Sequence, residues 1–317
     1  MAIKIFASPS PHVHGGESTR RIMGDVLLAL VPALAVSIYI FGLRALMITA
    51  VAVVACVLFE YLIQRFLFGT RSTIGDLSAV VTGVLLAFNL PVGIPCWIVV
   101  IGALVAIGIG KLSFGGLGCN PFNPALTGRI FLLIAYPGQM TDWVSGVPDA
   151  ISGSTMLSDI KEGAYAVSDI DFMGMFSGHM NGSLGEVGAL ALILGGIYLL
   201  WRRVITWHIP VAVLGTMAIF AACVAGGDGG SLVYELPLFH LLAGGALLGA
   251  IFMATDYSTS PMTHKGMIIY GVGIGIITMV IRLWGAYPEG MSFAIFIMNA
   301  ATPLINKYCR PTRFGVK

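Results

Sequence analysis

Three polar stretches interrupt an otherwise apolar chain of 317 residues, and each carries side chains able to do chemistry. The first is Asp149-Ala150-Ile151-Ser152-Gly153-Ser154-Thr155. Ser, Gly, Ser and Thr in a row make a pliable turn. In it Ser154 or Thr155 can cap a short helix over residues 156–162 by accepting from its unpaired N–H groups. The same hydroxyls can serve as phosphoryl acceptors. For that, Thr155 needs small neighbours that let an extended strand lie in a transferase cleft, and an upstream acid such as Asp149 for recognition. Residue type alone leaves both readings open.

The second stretch is Gly115-Gly116-Leu117-Gly118-Cys119-Asn120-Pro121-Phe122-Asn123-Pro124-Ala125. Glycines permit close backbone approach, two Asn-Pro steps interrupt helix, and the amides of Asn120 and Asn123 can donate and accept inside a bilayer. Such a place suits a planar polar heterocycle or an ion. It equally suits a re-entrant turn whose asparagines satisfy its own backbone. The third stretch, Thr255-Asp256-Tyr257-Ser258-Thr259-Ser260-Pro261, precedes Lys265-Gly266. Thr255 and Asp256 read there as a polar break that lines a cavity or caps a half helix, and Asp76, at the start of its own run, is a candidate for the same lining.

Ionisable residues inside apolar runs are functional candidates by default. Glu60, Asp76 and Arg129 qualify, and all three fall toward one end of their runs, where side chains can snorkel. That favours a structural role for Glu60, with Gln64 one turn on. Arg129 follows Asn123 on the same short helix, placed to meet a ring edge or an acidic partner. Other chemistries lack their residues. The six histidines are dispersed, so no metal site is expected. The five cysteines have no paired spacing and mostly sit in apolar stretches as small hydrophobes. There is no Walker loop or dinucleotide fingerprint, so NADH has no site here and electrons, if used, come from a partner. A net charge of +2 offers nothing to nucleic acid.

The elements that position these residues follow from composition. Hydrophobic residues make up 57% and charged residues only 10%. Soluble domains carry about 25% charged residues, so this chain cannot build a water-soluble surface. Apolar runs lie near 23–43, 45–65, 76–91, 94–111 and 123–137, then 185–201, 208–226, 238–254, 266–284 and 291–306. Several approach the roughly 20 residues needed to cross about 30 Å of hydrocarbon. The fold class is therefore an all-α integral membrane protein of about ten transmembrane helices. Pro91, Pro95, Pro121 and Pro124 at run ends predict broken or half-crossing helices. With both termini cytoplasmic, only Arg44, Lys161 and Arg282 of 17 basic residues face outward, a strong positive-inside bias. Residues 138–184 then form one larger extracytoplasmic loop.

Ten runs split around that loop into membrane halves 23–137 and 185–306, flanked by a cytoplasmic arm (1–22) and tail (307–317). Five and five with the loop between them allows two inverted repeats. Thr82-Gly83-Val84-Leu85-Leu86-Ala87-Phe88 resembles Leu248-Gly249-Ala250-Ile251-Phe252-Met253-Ala254, and each meets a polar break.

The order and spacing of these stretches resemble the RnfD and NqrB family of membrane flavoprotein subunits. Asp149–Thr155 is similar to the D-x-x-[ST]-G-A-T run at which a Mg²⁺-dependent flavin transferase attaches FMN from FAD to threonine. Ser154 departs from it, standing where the family has alanine and offering a second hydroxyl. Gly115–Ala125, Gln139-Met140-Thr141-Asp142-Trp143 and Thr255–Pro261 match the family in type, and the likeness covers nearly the whole chain. The resemblance implies FMN in a phosphoester to Thr155, with Asp149, Ser152, Gly153 and Ser154 as the flavinylation motif. It also implies a non-covalent riboflavin near Asn120, Asn123 and Arg129. The function implied is the membrane subunit of a bacterial or archaeal complex that couples electron transfer between ferredoxin and NAD to Na⁺ or H⁺ translocation across the cytoplasmic membrane. Partners implied are the other Rnf subunits, including an extracytoplasmic flavoprotein and a cytoplasmic NADH-binding subunit, and the transferase. The competing class is an inverted-repeat channel or transporter without a redox cofactor, which has no use for a flavinylation run on an outer loop.

Overall fold

The computed structural model describes residues 18–70, 72–144, 152–153, 155–161, 172–178, 182–227, 232–287 and 289–310. Each of the ten apolar runs holds a helical segment. In the first half these are α1 (Thr19–Phe41), α2 (Leu43–Leu62), α3 (Ser78–Phe88), α4 (Cys96–Leu104) and α5 (Pro124–Ala135). After short helices α6 (Pro137–Met140), α7 (Met156–Lys161) and α8 (Phe172–Ser177) come α9 (Ala189–Trp201) and α10 (His208–Gly227). They are followed by α11 (Leu232–Leu242) with α12 (Ala246–Leu248), then α13 (His264–Trp284) and α14 (Met291–Tyr308). A two-residue antiparallel pair, β1 (Trp143–Val144) with β2 (Ser152–Gly153), precedes α7. Among the described residues this is a multi-pass, helical membrane architecture.

Not every segment is a full crossing. Among the described residues five helices are long and apolar enough to span a bilayer, and Leu236–Leu242 with Ala246–Met253, which includes the π turn Gly249–Met253, forms a pair bent by 64°, a broken span or a re-entrant loop. By contrast α3, α5 and α9 are 11, 12 and 13 residues long. At roughly 1.5 Å per residue they reach only about 16–20 Å, well short of a hydrocarbon core. Thus α3, α5 and α9 are half helices, whereas the run after Pro95 continues from Cys96 to Phe114 and is long enough to cross.

Small residues let the helices approach. Added Cβ atoms at Gly271 and Gly275 of α13 would meet Ala212 and Thr216 of α10 at 2.6 Å and 2.7 Å. This is the small-residue stripe that drives packing where water does not. The packing scheme of the first five segments recurs in the second five. There α2 packs on α3 and α4, and α4 on α5; here α10 packs on α11 and α13, and α13 on α14. The two stretches of similar sequence meet across the middle, where the Asn89 amide touches Met253 Sδ at 3.6 Å.

Burial alters the reading of several charges. Lys111, Arg129 and Arg282, three of the 17 basic residues in the positive-inside count, are all buried in protein. Glu60 is fully buried and does not snorkel, because Lys111 neutralises it at 2.6 Å. Of the three basic residues expected on the outer side, Arg44 and Lys161 are exposed, so the positive-inside expectation does not depend on Arg282. Cysteine probes in place of Lys161 and Arg203 should therefore label from opposite membrane faces; labelling of both from one side would break the helix count. Cys56 is buried as expected, whereas Cys119 and Cys223 are exposed.

Candidate functional site

The glycine-rich stretch before α5 is a tight turn that only glycine backbones make without strain. Gly115, Gly116 and Gly118 hold φ of 111°, 98° and 87°. A Cβ at such left-handed values would clash with its own backbone. The turn delivers Asn123 to the start of α5. There its Oδ1 accepts from Ala125 N (3.0 Å) and Leu126 N (3.4 Å), with Pro124 in the first helical turn. That is the arrangement expected of a helix cap followed by proline. Its Nδ2 crosses to the other half and donates to the Met253 carbonyl at 3.2 Å. Asn120 donates to the Phe122 carbonyl, but its buried Oδ1 has no hydrogen-bond partner among the described residues.

Asn120 and Asn123 form one wall of an open cleft. Thr255, Asp256 and Ser258 line the facing wall, and Ser78 and Lys111 its polar floor. The facing wall is built by the π turn, after which Thr255 Oγ1 donates to Ile251 O at 2.6 Å. Asp256 accepts from Ser258 Oγ (3.0 Å) and Thr259 Oγ1 (3.4 Å). Desolvation in this wall raises the Asp256 carboxyl above its ordinary pKa, opposed by those hydrogen bonds. Asp76 does not line the cleft. It accepts from Ser78 N at 2.8 Å and Ser78 Oγ at 2.5 Å, and so caps α3. Leu77 beside it holds a φ of 65°. That value is strained for a residue with a side chain.

Arg129 does not reach the cleft either. It sits six residues past Asn123, about 9 Å farther along α5 and about 120° round its face. Its guanidinium pairs with Glu289 and donates to Asn89 Oδ1 (2.7 Å) and Ser292 Oγ (2.6 Å), all within protein. Arg129 and Glu289 thus form a buried ionic cross-link between α5 and the start of α14.

A second polar site lies at the far end of the helices. From its start beside the cleft, α13 runs 21 residues to Trp284. That length carries it across the whole hydrocarbon layer, about 31 Å. Lys161, ending α7, donates to the Gly285 carbonyl just beyond it. Leu157 is buried against Gly244, whose own carbonyl accepts from Arg282 at 3.1 Å. Thr155 is 5% exposed, and its Oγ1 accepts from Ser158 N at 3.3 Å. The capping geometry is therefore real in this chain. Ser152 and Gly153 lie in β2, paired with Val144 and Trp143. Asp149 and Ser154 fall outside the described residues.

Residues 6–315 match the model of the NQR2, RnfD, RnfE family. The chain belongs to this family. It is 47% identical over 99% of its length, and 96% of the relative's, to the D component of the Na⁺-translocating ferredoxin:NAD⁺ oxidoreductase complex of Acetobacterium woodii. It is 43% identical over 98% of its length, and 96% of the relative's, to the proton-translocating counterpart of Clostridium ljungdahlii. Identity to the D component of the ion-translocating oxidoreductase complex of Stutzerimonas stutzeri is 40%, over 94% of this chain and 92% of that one.

In this family member the fold joins Asn120 and Asn123 with Thr255 and Asp256, which the sequence shows only as separate motifs. It removes Arg129 and Asp76 from the cleft and adds Lys111 and Ser78. Lys111 carried a signal that was legible, a lone charge between Gly108-Ile109-Gly110 and Leu112, but positive-inside counting absorbed it. Glu289 and Arg282 lie near helix ends and gave none. Asn123 serves both its own helix and the Met253 carbonyl, so replacing it disturbs structure as well as the cleft. Asn120 is the cleaner probe. We expect Asn120→Leu to lower releasable flavin and electron transfer while leaving thermal stability and covalent flavin unchanged; unchanged flavin and transfer would make the asparagine a turn residue only.

Proposed function

We propose that this chain is the RnfD-type membrane subunit of an ion-translocating ferredoxin:NAD oxidoreductase complex, with FMN esterified to Thr155 and a second, non-covalent flavin in the Asn120 cleft. The observation that carries the reading is the end-to-end likeness to relatives bearing that name, joined to the Asp149–Thr155 run of the flavinylation type. The same likeness speaks against the channel reading.

The residues present suit two flavins. The cleft has apolar flanks in Val81, Leu85 and Phe252 for the faces of a flat ring, and an unsatisfied acceptor in Asn120 Oδ1 for its edge. Such a buried acceptor costs about 1–3 kcal/mol unless a ligand N–H meets it. At the other end, Thr155 offers a hydroxyl two residues after the pliable Gly153. Its cap to Ser158 and the packing of Leu157 mean that the transferase has to meet this segment with α7 undocked. Bound flavin supplies the redox chemistry; the chain holds, orients and desolvates it.

On this reading the cleft faces the cytoplasm and Thr155 the outside, so the two sites sit on opposite sides of the membrane. Partners are the remaining subunits, among them an extracytoplasmic flavoprotein near α7 and a cytoplasmic NADH-binding subunit. The deciding measurement is ultraviolet fluorescence of the purified chain on a denaturing gel. A fluorescent band supports covalent flavin, and a dark band from a host that expresses the transferase would refute it.

A further inference from the structure

Lys111 is a lysine with 1% of its side chain exposed, in a cleft wall where an apolar residue would be cheaper. Burying an ion pair costs several kcal/mol per ion in desolvation, which the mutual attraction of the pair repays only when all remaining groups are satisfied. Here the satisfaction is incomplete in one direction. Of the three ammonium N–H groups, one goes to Glu60 Oε2 and one to Ser78 Oγ, both at 2.6 Å. The third has no acceptor among the described residues. The neighbours are spoken for: Ser78 gives its proton to Asp76, and Glu60 Oε1 accepts from Thr73 Oγ1 at 2.8 Å.

We propose that Lys111 is the cationic wall of the cleft and that, with Asn120, it reads an imide-type edge, a ring N–H next to a carbonyl, on a bound heterocycle. The cleft presents one spare donor, the Lys111 ammonium, and one spare acceptor, Asn120 Oδ1. An imide edge fills both at once. A metal cation would face the ammonium, and a phosphate or other simple anion would leave Asn120 Oδ1 unpaired. Asp256 lines the cleft too, its Oδ2 accepting from the hydroxyls of Ser258 and Thr259. Glu60 stands behind Lys111 and does not line the cleft, so Lys111 is the basic residue presented to the ring edge. The inference rests on the flavin reading of this cleft and names the residue that orients the ring. A cation at the pyrimidine edge also favours added electrons, so Lys111 is a positioning residue that raises the midpoint potential.

The test uses full-length protein carrying Thr155→Val, so that the flavin measured is the non-covalent one, purified in lipid nanodiscs. Lys111→Met alone would strand Glu60, so the variant is Lys111→Met with Glu60→Gln; Glu60→Gln alone keeps the cation and removes its counter-ion. Releasable flavin and its midpoint potential are read by acid extraction and spectroelectrochemistry. The double variant should bind flavin about tenfold more weakly, as expected for one charge-assisted hydrogen bond, with the potential shifted down. Glu60→Gln should shift it up. Flavin retained with the same potential in both variants overturns the role of Lys111. A parent protein without releasable flavin refutes the flavin reading of the cleft, and the inference falls with it.

Discussion

Thr155→Val should insert and fold yet carry no covalent flavin at all, while Ser154→Ala keeps a full complement. Valine matches threonine in shape and lacks only the hydroxyl to which the phosphoester would form. The structural cost is small. Loss of the cap on α7 amounts to about 0.5–2 kcal/mol. It is confined to a six-residue helix held also by Leu157 and Lys161. Stability and flavin content therefore separate cleanly in this variant. Mass spectrometry of the tryptic peptide from Ile130 to Lys161 should show one added FMN in the native chain and none after the change. Recovery of the adduct on Ser154, which offers the second hydroxyl, would overturn the assignment.

Arg129→Met should be strongly destabilising without touching either proposed flavin site, by about 3–5 kcal/mol, the usual cost of leaving one partner of a buried pair uncompensated. Arg129 is 6% exposed, and its loss strands Glu289 as well as Asn89 Oδ1 and Ser292. Glu289 Oε1 already lacks a partner, so the site has no spare donor to take over. The double variant Arg129→Met with Glu289→Gln should recover much of the loss, because neither member of the pair is left as a lone buried charge. Thermal unfolding in detergent reads both. Equal melting temperatures for wild type and Arg129→Met would mean that the cross-link between α5 and α14 contributes nothing. If Arg129 instead served a flavin, its loss would lower releasable flavin at unchanged melting temperature.

Composition and periodicity were enough to determine the membrane class and the ten helical segments, because an apolar run cannot be exposed to water whatever its partners are. Local chemistry was legible for the same reason. Asn123 before Pro124 reads as a helix start, and Thr155 before residues 156–162 reads as a cap, since both depend on neighbours in the chain. The membership of the chain in the NQR2, RnfD, RnfE family was also legible, from motifs whose order survives without any fold. What the sequence could not show is which motifs face each other. Asn120 meets Asp256 across a cleft because the π turn after α12 lies beside the start of α5. Arg129 is turned away from Asn123 by the helix pitch and captured by Glu289, 160 residues on. Glu60 and Lys111, charges in two separate runs, satisfy one another only when α2 and the segment after α4 pack together. Side-chain pairing across the bundle depends on the three-dimensional approach of distant segments, and a single sequence records the residues but not the approach.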